Sequence, residues 1–63
     1  MSSSSSSEDL EDLGYANGWV ETPLIVQNCE ELEHVKQYRN LGGCQHAYWC
    51  DICMYRYKVD SSD

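Results

Sequence analysis

Apolar positions follow three different rhythms along the chain, after an opening stretch that has almost none. Residues 1–13, MSSSSSSEDLEDL, set two leucines among serines and carboxylates, too little apolar surface to offset the entropy of ordering. A disordered, acidic, Ser-rich tail is expected over 1–13. In GYANGWVETP, residues 14–23, glycine, asparagine and proline predict a turn and an entry loop, with Tyr15 and Trp19 closing one end of a core. Behind Pro23 the short apolar run LIVQ, residues 24–27, predicts a strand at a sheet edge.

The rhythm then becomes helical. Asn28 suits an N-cap and Glu31 follows it at capping-box spacing. Glu30, Glu31 and Glu33 would face the positive end of the dipole, and Gly42 could supply a left-handed cap. A helix is predicted over 29–40, burying Cys29, Leu32, Val35, Tyr38 and Leu41. From Cys44 onward the period is two: Cys44, His46, Tyr48 and Cys50 share one parity, as do Cys53, Tyr55, Tyr57 and Val59. Two antiparallel strands joined by the turn CDIC are expected, with residues 61–63 fraying. The fold class that follows is α+β: a β-α-β-β mini-domain over 14–60, made of a short strand, one helix and a C-terminal β-hairpin.

Size changes how the cysteines are read. A chain of 63 residues buries only about 60% of its unfolded surface, and folds this small need disulfides, a metal or a partner. The sequence has four cysteines. It has no run near the roughly 20 apolar residues of a membrane span, and its N-terminus lacks the basic and apolar regions of a signal peptide. A cytoplasmic protein with no membrane association is expected, and closely spaced cysteines in that reducing setting are metal ligands or catalytic thiols before they are disulfides.

The net charge of −7 is unevenly spread. All carboxylates except Asp51, Asp60 and Asp63 precede His34, whereas Lys36, Arg39, Arg56 and Lys58 follow it. Four basic residues are too few for a groove that tracks phosphates, so nucleic acid is not expected as a partner. The acidic tail reads as a solubiliser or a contact for a basic partner. In it, Ser5 and Ser6 precede Glu8 and Asp9 at a spacing that an acid-directed kinase could read.

The candidate chemistry lies in GGCQHAYWCDIC, residues 42–53. A structural zinc needs four ligands at tetrahedral positions, and two cysteines separated by two residues at a tight turn can both point into one site. Cys44, His46, Cys50 and Cys53 give C-x-H-x3-C-x2-C, a full ligand set for one structural Zn2+. That set requires a bend, because a straight strand would hold Cys44 about 20 Å from Cys50 at roughly 3.3 Å per residue. A competing set keeps Cys50 and Cys53 and draws on Cys29 and His34.

Residues 44–57, CQHAYWCDICMYRY, resemble half of a zinc-ribbon or treble-clef zinc finger, in which a C-x2-C knuckle is followed by an aromatic strand. They are also similar to the middle of a RING finger. The flanking cysteine pairs of that finger are missing, so ubiquitin-ligase activity is not implied. The resemblance covers about a quarter of the chain and implies a zinc-stabilised domain.

Other chemistries use the same thiols differently. Cys44, Cys50 and Cys53 with Cys29 as fourth would suit an iron-sulfur electron carrier. A redox pair at Cys50 and Cys53 wants a helix where the sequence predicts a strand. No carboxylate is placed as a general base beside an open metal position, so an enzyme is not expected. The reading is a zinc-binding protein-interaction or regulatory module whose partner is another protein, with an iron-sulfur carrier or an acidic nucleic-acid mimic as alternatives. Tyr15, Trp19 and Trp49 with Lys36, Arg39, Arg56 and Lys58 are the candidate contact residues.

Overall fold

The computed structural model describes residues 9–61. Most of the expected tail, including Ser5, Ser6 and Glu8, lies outside them, as do residues 62 and 63 of the C-terminus. Within them the chain runs β1 (Glu11–Tyr15), a short 3-10 turn (Ala16–Gly18), α1 (Leu24–Glu31), β2 (Gln37–Gly42), β3 (Gln45–Cys50) and β4 (Tyr55–Asp60). The four strands form one mixed sheet in the order β1-β4-β3-β2. β3 is antiparallel to both its neighbours, and β1 runs parallel to β4. The α+β class and the C-terminal hairpin therefore stand.

Local chemistry explains where the elements differ from the pattern. Residues 11–13 are not tail: they form most of β1, and Leu10 just before them is buried. LIVQ is not a strand but the first turn of α1, since the Pro23 carbonyl accepts the N–H groups of Val26 and Gln27, each at 3.0 Å. A four-residue apolar run fits a strand or a buried helical turn equally by periodicity. Here Val26 and Cys29, three apart, supply the buried face of the helix. The helix ends at Glu31, and the expected helical residues from Gln37 onward are β2. Gly42 and Gly43, at φ 108° and 60°, turn β2 into β3 rather than capping a helix.

The core is small. Val26 and Cys29 of α1 meet Cys50 and Tyr55 of the hairpin, and Leu13, Trp19, Ile25, Cys53 and Tyr57 pack around them. Trp19 is core: its indole N–H donates to the Leu13 carbonyl at 3.1 Å, and its ring meets Tyr57 edge-on at 5.2 Å. Cross-strand register lines up Tyr38, Tyr48 and Tyr57 on one sheet face, with centroid separations of 5.3 and 5.7 Å. Such pairs are the unit of sheet stabilisation.

Candidate metal centre

Cys29 and His34 come from the end of α1. The helix closes with Glu33 N–H donating to the Glu30 carbonyl at 2.9 Å and His34 N–H to the Cys29 carbonyl at 3.2 Å. These are the paired bonds of a Schellman motif, with Glu33 left-handed at φ 57°. The motif turns the chain back over the last helical turn and so ties His34 to Cys29.

Cys50 and Cys53 come from the hairpin tip. Cys50 is the last residue of β3 and is buried, while Cys53 is half-buried in the turn. Met54 N–H donates to the Cys50 carbonyl at 2.8 Å and Cys53 N–H approaches Cys50 Sγ at 3.5 Å. Met54, left-handed at φ 63°, completes the tight turn, so the two thiols of CDIC face one point.

The two halves converge. The donor atoms of Cys29, His34, Cys50 and Cys53 all lie within 4.8 Å of one another. His34 Nδ1 and Cys53 Sγ are 3.4 Å apart, against roughly 3.5 Å expected between nitrogen and sulfur on a tetrahedral zinc. All four cysteines of the chain are free thiols. This Cys3His group is positioned to bind a metal ion.

Electrostatics fit a cation. Burial raises Cys50, but hydrogen bonds from the Cys53 and Ile52 backbone and from Cys29 and Cys53 outweigh it and leave that thiol below its ordinary value. Cys53 is pushed up to about 11 by desolvation, and by the neighbouring Cys29 and Cys50. Ionisation of Cys53 beside the other sulfurs is thus disfavoured unless a positive charge compensates it. Tyr55, fully buried, has a hydroxyl with no hydrogen-bond partner among the described residues, and desolvation followed by Cys29 drives its pKa far up.

Two of the sequence-predicted ligands lie elsewhere. Cys50 and Cys53 are in the group, and the structure joins them to Cys29 and His34, the competing set, rather than to Cys44 and His46. The reason is the straightness of β3: Cys44 is exposed in the turn before it, and Cys50 ends it, at a separation of about 20 Å for an extended strand. The His46 ring stacks on Tyr38 at 5.6 Å, and its Nδ1 hydrogen-bonds with the Tyr38 hydroxyl at 2.8 Å. The same separation keeps Cys44 from the other three cysteines, so the set an iron-sulfur cluster would use is not assembled. The signal for the observed group was the spacing Cys29-x4-His34, read together with Cys50-x2-Cys53 as two halves of one site. A search among known protein families, characterised proteins and solved structures finds no match to the chain.

Proposed function

We propose that the chain is a small zinc-binding module, with one structural Zn2+ held by Cys29, His34, Cys50 and Cys53, and that it works by binding another protein. The observation that carries this reading is the convergence of four donors within 4.8 Å from two separate elements. Three thiols and one imidazole match a Cys3His structural zinc, a closed set that leaves no position for substrate. The zinc would join the end of α1 to the tip of the β3–β4 hairpin. Among the described residues only five apolar side chains are buried, so much of the folding free energy would come from the metal.

Native mass spectrometry of protein purified without chelator tests the proposal. One bound zinc, lost together with the fold on chelation, is the expected result. A folded, metal-free mass would overturn it.

A further inference from the structure

Only one face of the sheet meets the helix. Cys50 and Tyr55, directly paired, carry the contact with α1. On the opposite face, strand alternation and register gather a different set. Arg39 pairs with Ala47, Ala47 with Lys58, and Trp49 with Arg56. Three of the chain's four basic residues thus share one patch.

The patch has a shape. Ala47 extends only a methyl group between Arg39 and Lys58, leaving a hollow of about 300 Å³ bounded also by Trp49 and Arg56. With neighbouring strands roughly 4.8 Å apart, the backbones of Arg39 and Lys58 stand about 10 Å from each other. Among the described residues Asp12 is the one carboxylate on the lining, and its Oδ1 accepts the Gly14 N–H at 3.0 Å.

We propose that this face is a docking site for an extended acidic segment of a partner protein, which deepens the interaction role proposed above and rests on it. Two carboxylates two residues apart in an extended chain point the same way and stand roughly 7 Å apart, enough for the long basic side chains of Arg39 on one side and Arg56 or Lys58 on the other to reach them. An apolar side chain two residues beyond them, on the same face of the extended segment, packs over Ala47 against Trp49. Charge complementarity selects a short acidic segment over a nucleic acid. Most of the positive charge, all but Lys36, gathers on this face of a chain whose net charge is −7, and a long polyanion would also run past the carboxylates.

The test is a nitrogen-15 NMR titration of the full, zinc-loaded chain with the capped peptide Glu-Leu-Asp-Glu-Leu-Asp. The Trp19 indole N–H, held by the Leu13 carbonyl, serves as internal reference. Saturable shifts of the Trp49 indole and of the Arg39, Ala47 and Lys58 amides are expected. The Trp19 indole should stay still, and Arg39→Glu combined with Lys58→Glu should weaken binding at least tenfold. Still signals at Trp49, equal binding of Gln-Leu-Asn-Gln-Leu-Asn, or shifts produced only by an oligothymidylate would overturn the proposal. Zinc in the native mass of the same sample reports on the metal separately, so silence at Trp49 in a zinc-loaded, folded chain counts against the docking site alone.

Discussion

His34 Nδ1 stands 3.4 Å from Cys53 Sγ across nineteen positions of sequence. Neither residue is placed by the other. The histidine is delivered by the closing bonds of α1 and the cysteine by the hairpin turn after Cys50. A bond through a shared metal would convert this meeting of two locally determined ends into a tertiary cross-link.

Substitution separates the two histidines. Losing one of four ligands should remove on the order of a quarter of the roughly 10–16 kcal/mol that structural zinc supplies, a loss of about 100-fold or more in affinity. Cys29→Ser, His34→Ala and Cys53→Ser are expected to show it in competition with a chromophoric chelator. Cys44→Ser and His46→Ala should keep one zinc per chain. His46→Ala should cost no more than about 1 kcal/mol, for its exposed bond to Tyr38.

Acidity affects the metal-free and metal-loaded forms in opposite directions. Without metal, the Cys53 thiol is raised from 9.0 to about 11. The folded chain then keeps a proton that the unfolded chain gives up, so the stabilisation is full below pH 9 and lost as pH rises through 11. The folded fraction of chelator-treated protein, held up by an osmolyte, should fall over that window when followed by near-ultraviolet circular dichroism. Zinc instead requires thiolates. Loading at neutral pH should release protons into a lightly buffered solution, and zinc affinity should rise with pH below neutrality.

How much of this was legible depends on which residues carried redundant signals. The hairpin was readable because Tyr48, Tyr57 and their neighbours alternate without interruption on both sides of CDIC. The helix was misplaced because Glu30 and Glu31 resemble an N-terminal first turn yet lie at the C-terminal end of α1, where the dipole disfavours them. Burial of Val26 and Cys29 overrides that local preference. β1 gave little signal, since EDLGY contains one aliphatic side chain and pairs with β4, which is far away in sequence. Half of the metal group was visible as a knuckle, and the whole of it only as the competing set that added Cys29 and His34. The other half depended on the Schellman turn at Glu33, a position where sequence reasoning expects glycine.

Tyr55→Phe probes the buried hydroxyl beside the sulfurs. In the metal-free fold that oxygen has no partner among the described residues, and removing it should leave stability unchanged or raise it by about 1 kcal/mol. With thiolates present, the neighbouring Cys29 sulfur would accept from that hydroxyl; its proximity already contributes to the raised pKa. Loss of such an outer hydrogen bond typically costs 10–100-fold in metal affinity. Weaker zinc binding by a chain whose osmolyte-supported metal-free fold is no less stable is the expected pairing. Unchanged affinity would show that the hydroxyl contributes nothing to the site.

Glu33 offers the complementary test, through the backbone rather than the ligands. A non-glycine residue in the left-handed region costs roughly 1–2 kcal/mol, and Glu33 is exposed at φ 57°. Its carboxylate also faces the negative end of the α1 dipole, worth about 0.3–1 kcal/mol. Glu33→Gly removes both penalties and should raise the zinc-loaded Tm by about 4–8 °C per kcal/mol gained. Glu33→Gln relieves the charge alone and should gain less. Glu33→Val, with a β-branched side chain in the same conformation, should lower the Tm and weaken zinc binding as well, because displacing residue 33 carries His34 away from Cys53. Thermal denaturation of the three variants, with zinc affinity measured alongside, tests whether the helix cap sets the position of the fourth ligand. A Val variant that melts early but binds zinc at full strength would separate the cap from the site.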